Sequence, residues 1–270
     1  MTTEAQVFSV PAASRSKNIR TTLRRMPVLP VLIILAFLMI AVFADFIVPH
    51  DPYQTNLAIR LSPPFWMEGG SLDYPLGTDA IGRDILSRIL LGARVSLLVA
   101  IGAIVEGGMI GTLLGLISGY VGGWVDALIM RITDAMFAFP AILLALILAV
   151  IFGPSFWNVM IVLGLVLWAR YARLVRGEVL SWKRRDFVDL AKVAGSPPLR
   201  ILVIDILPNV VSPIIVLSTL QAGWAIVIEA SLSFLGAGVP PPIPSWGFMV
   251  SRGRDFVTTA WWMSVMPGTA

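Results

Sequence analysis

From Val95 to Tyr120 the chain reads VSLLVAIGAIVEGGMIGTLLGLISGY, an apolar run interrupted by a single acid, Glu106. A hydrocarbon core of ~30 Å needs roughly 20 apolar residues in helical form, so this stretch can cross a bilayer. Comparable runs flank it: Val28 to Val48 before, then Trp124 to Phe152 with Pro140 inside, Trp157 to Leu180, and Val210 to Leu235. The chain therefore reads as an all-α, polytopic membrane protein with five visible spans. Arg20, Arg24 and Arg25 precede the first run as they would a signal peptide. The run is longer than a signal core, and Val48-Pro49-His50-Asp51-Pro52 offers no small-residue cleavage site, so residues 28–48 read as an uncleaved anchor.

Composition points the same way. Of 270 residues 57% are hydrophobic and only 13% charged, and mean hydropathy is +0.85. A soluble domain carries about 25% charged residues. This balance excludes a soluble enzyme, a disordered regulator and a nucleic-acid binder with a water-exposed basic face. The net charge of +4 reflects basic residues beside spans, the topology signal of a cytoplasmic face. With no cysteine there is no disulfide framework or thiol nucleophile, and the one histidine, His50, lacks the companions a metal site needs. No GxSxG, HExxH or P-loop sequence is present, so no catalytic residues and no ATP-hydrolysing site are expected in this chain.

Lys and Arg set the expected orientation. The tail, residues 1–27, holds Arg15, Lys17, Arg20, Arg24 and Arg25 against Glu4. The segment between the fourth and fifth spans holds Lys183, Arg184, Arg185, Lys192 and Arg200, with Arg170, Arg173 and Arg176 on the approach. Both are expected to be cytoplasmic, which leaves residues 49–94 extracytoplasmic despite Arg60, Arg83, Arg88 and Arg94. Trp261 to Gly268 reads as the opening turns of a sixth span that the sequence cuts short.

Glu106, Asp126, Arg131, Asp134 and Glu229 lie within or at the edges of apolar runs, where each must face another helix or a wet path. Internal pairing of Arg131 with Asp134 or Asp126 is the favoured reading, and a proton relay the alternative. Gly107, Gly111 and Gly115 are spaced for close helix packing, with a pore-opening hinge the other possibility.

Between Lys183 and Asn209 stands KRRDFVDLAKVAGSPPLRILVIDILPN. Phe187, Leu190, Ala191 and Ala194 recur at i, i+3, i+4 and i+7, an apolar stripe too short for a span. Gly195 is expected to stop this helix, Ser196 to cap the next with Pro197 at its first position, and Pro208 to break the face formed by Ile201, Ile204 and Leu207. Such a helix could rest on lipid or dock into a partner's groove.

The stretch resembles the EAA motif of ABC-importer permeases, with Asp189-Leu190-Ala191, then Gly195, then Ile206-Leu207-Pro208 at the motif's spacing. Asp189 stands for the motif's Glu and Leu190 for its first Ala. His50-Asp51-Pro52, Leu76-Gly77-Thr78-Asp79, Gly82-Arg83-Asp84, Leu86-Ser87-Arg88, Ser231-Leu232-Ser233-Phe234-Leu235-Gly236 and Pro244-Ser245-Trp246-Gly247 are similar to the dipeptide/oligopeptide permeases of the DppC/OppC type. The resemblance implies a type I ABC-importer transmembrane domain over residues 95–270, with residues 183–209 as the coupling loop. Within it Asp189, Leu190, Ala191, Gly195, Ser196, Leu199, Ile206, Leu207 and Pro208 are the implied ATPase-coupling residues. It further implies a bacterial inner-membrane setting, a second DppB/OppB-like permease, two ATPase subunits that bind ATP and magnesium, and an extracytoplasmic solute-binding protein. Di- or oligopeptides are the implied cargo, with glutathione, nickel chelates or opine-like solutes as alternatives. A proton-coupled secondary transporter is the rival from another class, and no substrate contact is assigned.

Overall fold

The structure, a computed structural model, describes residues 28–270, so the basic tail 1–27 lies outside the described residues. The chain divides into two units, one ending at Met39 and the other running from Ile40 to Ala270. Among the described residues the first unit is a stretch of apolar helix, and the second holds all the remaining elements.

Nine helices carry the described residues: α1 Val28–Ile47, α2 Ile85–Val121, α3 Gly123–Ala138, α4 Ala141–Phe152, α5 Phe156–Trp182, α6 Asp186–Val193, α7 Pro198–Phe234, α8 Trp246–Gly253 and α9 Trp262–Thr269. Three of these, α2, α5 and α7, are long and apolar enough to cross a membrane. The apolar run from Trp124 to Phe152 is not one helix. Phe139 is extended ahead of Pro140, and α3 and α4 meet there at 97°. A residue before proline is pushed out of the helical region, and proline brings no N–H to continue the ladder.

Helix α2 packs on α5 through a glycine row. A Cβ at Gly107 would lie 2.9 Å from the Gly164 carbonyl oxygen, one at Gly111 2.3 Å from that of Trp168, one at Gly115 2.7 Å from that of Ala172, and one at Gly119 3.0 Å from that of Arg176. Each step of four residues on α2 meets a step of four on α5. The backbones therefore touch along more than three turns, close enough for Cα–H···O contacts that need no side chain. The glycines are packing surfaces, not hinges. The order of the matches also makes α2 and α5 parallel, so the bent pair α3–α4 must return the chain between them.

One end of this bundle carries residues 183–197 (the loop end) and the other residues 49–84 (the segment end). The segment end has its own core around Ile85, Met249, Ala260, Trp262 and Met263. Two of its arginines are engaged by structure. Arg83 Nε donates to Asp79 at 2.7 Å, and fully buried Arg88 donates through Nη1 to the Pro52 carbonyl at 2.8 Å. Asp84 caps α2 by accepting from Ser87 N–H at 3.0 Å, and the His50 ring stacks on Tyr74 at 4.6 Å.

Arg94 fastens the outer part of α1. That helix kinks at Phe43 (φ −97°, ψ 15°), and Arg94 Nε and Nη2 donate to the carbonyls of Ala41 and Val42 at 2.7 and 2.9 Å. Its Nη1 meets both Asp45 oxygens at 2.8 Å. Bonds to charged groups contribute about 1.5–3 kcal/mol each in net terms. Arg94→Ala is therefore expected to speed amide exchange across residues 41–47 by about tenfold or more, read by hydrogen-exchange mass spectrometry.

Candidate functional site

The loop between α5 and α7 folds from local rules. Helix α6 begins at Asp186 and places Asp186 and Asp189 in its first turn, where carboxylates suit the helix dipole. Ser196 N–H bonds the Ala191 carbonyl and Gly195 N–H that of Lys192, both at 3.0 Å. This pair of bonds is a Schellman ending, with Gly195 at φ +77° in the left-handed position that favours glycine. A Cβ there would meet nothing within 4 Å, so backbone conformation alone selects glycine.

The next helix starts one residue later than expected, with Pro197 as its N-cap and Pro198 at its first position, and Ser196 caps nothing. Ile201–Ile206 is π-helical, and Leu207 N–H reaches back to the Leu202 carbonyl. Pro208 explains it. Lacking an N–H and crowding the carbonyl four residues back, it shifts the ladder to a five-residue step, so the helix is loosened there without breaking. The change of step also moves the buried face. Ile201, Ile206 and Val210 are buried, while Ile204 is exposed.

The apolar stripe of α6 is rearranged likewise. Val188 is buried, packed in the loop-end cluster with Ala191 against it. Leu190, Val193 and Leu199 point outward at 68%, 88% and 72% exposure, and Phe187 is also exposed. Asp189 is exposed and accepts from Lys192 Nζ at 2.7 Å. The loop thus presents two outward aliphatic side chains on a short helix held from behind by Val188, and a third, Leu199, at the start of α7.

Behind it stand ion pairs. Asp126 accepts from Arg176 Nε and Nη2 at 2.5 and 2.6 Å and from Ser118 Oγ at 2.5 Å, joining α2, α3 and α5. Asp134 pairs with Arg173 Nη2 at 2.5 Å. Arg131 joins neither acid and is exposed, contrary to the pairing expected from its spacing. The partners lie on α5, and the two acids on α3 match two arginines three residues apart on the antiparallel neighbour. Lys183 Nζ donates to the Tyr120 carbonyl, closing the loop end. Asp126→Ala is expected to lower stability by about 2 kcal/mol, as loss of a charge-assisted pair does. The double swap Asp126→Arg with Arg176→Asp should recover part of it, read as thermal unfolding in detergent.

The deep acids are placed differently. Glu229 is fully buried near the segment end and accepts from Ser96 Oγ at 3.2 Å and Ser233 Oγ at 2.7 Å, tying α2 to α7. Glu106 is half-buried over Gly164, whose Cβ would lie 2.6 Å from its carboxylate. No chain of ionisable groups joins the two among the described residues. Arg170, read from sequence only as part of the basic approach, emerges as a further intramembrane charge: its Nη1 donates to Gln221 at 2.8 Å and its guanidinium lies 4.2 Å over the Trp224 ring.

The chain is similar in sequence to known proteins. The family described as "Binding-protein-dependent transport system inner membrane component" matches residues 111–268. The "N-terminal TM domain of oligopeptide transport permease C" matches residues 24–64. The dipeptide transport system permease protein DppC of Escherichia coli (strain K12) is 46% identical over 233 residues, covering 86% of this chain and 78% of its own length. The di/tripeptide transport system permease protein DppC of Pseudomonas aeruginosa is 41% identical over 237 residues, 88% and 78% of the two chains. The dipeptide permease DppC of Haemophilus influenzae is 42% identical over 235 residues, 87% and 80%. The apolar helices, the loop with its glycine ending and Leu207-Pro208, and these matches agree: the chain belongs to the inner-membrane permeases of binding-protein-dependent transport systems, as a multi-pass transport subunit.

Proposed function

We propose that this chain is one permease of an ATP-driven importer of di- and oligopeptides, forming the path across the inner membrane with a second, DppB/OppB-like permease. Two ATPase subunits, binding ATP and magnesium, grip the loop end from the cytoplasm, and an extracytoplasmic solute-binding protein delivers cargo at the segment end. The amino terminus is then cytoplasmic. The observation that carries this reading is the outward pair Leu190 and Val193 on a helix anchored behind by Val188 and ended by Gly195, with Leu199 exposed in the first turn of the helix that follows. Exposed aliphatic side chains of this kind favour a protein groove as their cover. Names of the relatives support peptide as cargo.

Mechanically, the loop acts as a lever. Its motion would pass through the π-helical stretch Ile201–Ile206 into α7, and through the Asp126–Arg176 pair and Lys183 into α2, α3 and α5. A partner's nucleotide state can shift the path only through contacts that differ between its two arrangements. Affinity purification of the tagged chain from its native membrane tests the reading. Recovery of a second permease and two ATPase chains, with peptide retained by the cognate binding protein, is expected. A lone chain that transports by itself overturns the importer reading. A retained glutathione, nickel chelate or opine-like solute overturns only the peptide assignment.

A further inference from the structure

Three arginines step along one stretch of α5: Arg170, Arg173 and Arg176. The last two are neutralised by Asp134 and Asp126. Arg170 is not: among the described residues no carboxylate lies within ion-pair distance of it. It also lies deepest, about 9 Å further along the helix from Arg176 at 1.5 Å per residue. A guanidinium carries five N–H donors, and here one is used, on Gln221 at 2.8 Å. Its guanidinium carbon lies 4.2 Å over the Trp224 ring, and Gln221 is itself buried. The fork is therefore held in place with most of its donors unspent. One turn along the same helix Arg173 covers the Phe137 ring at 4.0 Å, in the last turn of α3 before the break at Phe139–Pro140. Non-helical backbone at membrane depth is tolerated only when buried in protein or lining a wet cavity. An apolar groove lined by Ile104, Leu113 and Leu116 of α2 and Leu207, Val211 and Ile214 of α7 has no charged side chain in its lining.

We propose that Arg170, oriented by Gln221 and Trp224, is the point on the translocation path where the carboxylate of the cargo is received. An intramembrane ion without a counter-ion is costly and marks a ligand path, and a planar fork matches a carboxylate with two parallel bonds. The inference rests on the peptide-permease reading above, since a peptide with a free carboxyl end supplies the missing charge. An acidic side chain of the second permease could supply the same chemistry, and the experiment separates the two.

The complete transporter, with its second permease, ATPases and binding protein, is reconstituted in proteoliposomes and given dialanine. Arg170→Gln is expected to cut uptake by about 10- to 100-fold, the cost of removing a bond to a charged group. The complex should still assemble, and its ATPase should still respond to loaded binding protein. Arg170→Lys, charged but without the fork, should recover part of the uptake, and it decides the matter if Arg170→Gln does not accumulate. Uptake equal to wild type in either variant overturns the proposal. So does loss of the second permease from the complex, which would give the carboxylate to that subunit. If wild type ignores dialanine but carries another carboxylate-bearing solute, the peptide reading fails alone, and the same comparison on that solute decides the role of Arg170. A cargo without a carboxylate overturns the site.

Discussion

Gly111→Leu is expected to leave almost no correctly packed chain in the membrane. At this position even a Cβ would lie 2.3 Å from the Trp168 carbonyl oxygen and 2.5 Å from Tyr171 Cβ, both on α5. Neither neighbour can yield. One is backbone, and the other begins a fully buried side chain whose hydroxyl is tied to Ser218 at 3.1 Å. Overpacking a core by a few methylenes costs about 1–3 kcal/mol, and a clash with backbone costs more. Here the added side chain would also force apart a contact built on glycines along its whole length. Lipid supplies no hydrophobic drive to hold α2 on α5, so van der Waals contact must do it. Gly111→Ala should show the same defect in smaller degree, and Gly177→Ala, in a helix with open space around the added Cβ, should not disturb the helix pair. Protease resistance of the inserted chain and its yield after detergent extraction measure the effect. Wild-type resistance in Gly111→Leu would contradict the packing described.

The second large effect is expected at the loop. Leu190→Asp combined with Val193→Asp should abolish transport while leaving insertion and the helix bundle intact. Both side chains point away from the chain's own core, at 68% and 88% exposure, so folding does not need them. A partner that covers them would instead meet two buried charges. Aliphatic anchors at the centre of an interface are worth about 2 kcal/mol or more each, and two lost together weaken binding by about a thousandfold. Val188→Asp is the contrasting change: Val188 is buried beneath the same helix, and its loss should unfold the loop itself. Binding-protein-stimulated ATP hydrolysis and extraction yield distinguish the two. Full transport by the double aspartate variant would sink the docking role of this face.

Much of the fold is legible in the sequence, and the reasons differ by element. Length and apolarity alone mark α2, α5 and α7, because a bilayer imposes a minimum helix length. The glycines at 107, 111 and 115 announce a close contact through their four-residue spacing, although the partner on α5 has no signature beyond small or apolar residues. Gly195 ends α6 as its residue type suggests. The remainder comes from tertiary context. Periodicity puts Phe187, Leu190, Ala191 and Ala194 on one stripe and leaves Val188 off it, yet the rear of α6 is set by Val188 meeting the loop-end cluster. Pro208 reads as a helix breaker and instead loosens the helix into a π turn, because Ile206 and Val210 are held by burial on either side. The ion pairs escape for the same reason: spacing relates Arg131 to Asp134 within one helix, but the chain folds α3 against α5 and gives both acids to Arg173 and Arg176. Arg170 is hidden among basic residues that flank a loop. Its depth becomes visible only once α5 is laid beside α2.

The lever can be tested by one cross-link. The chain has no cysteine, so Val193→Cys introduces a single reactive thiol on the exposed face of α6. In membranes that contain the assembled transporter, a short thiol-directed cross-linker should join residue 193 to an ATPase subunit, with a yield that changes when ATP is added. If residue 193 reacts only with lipid-phase reagents, and never with an ATPase while uptake continues, the coupling role of this loop is wrong.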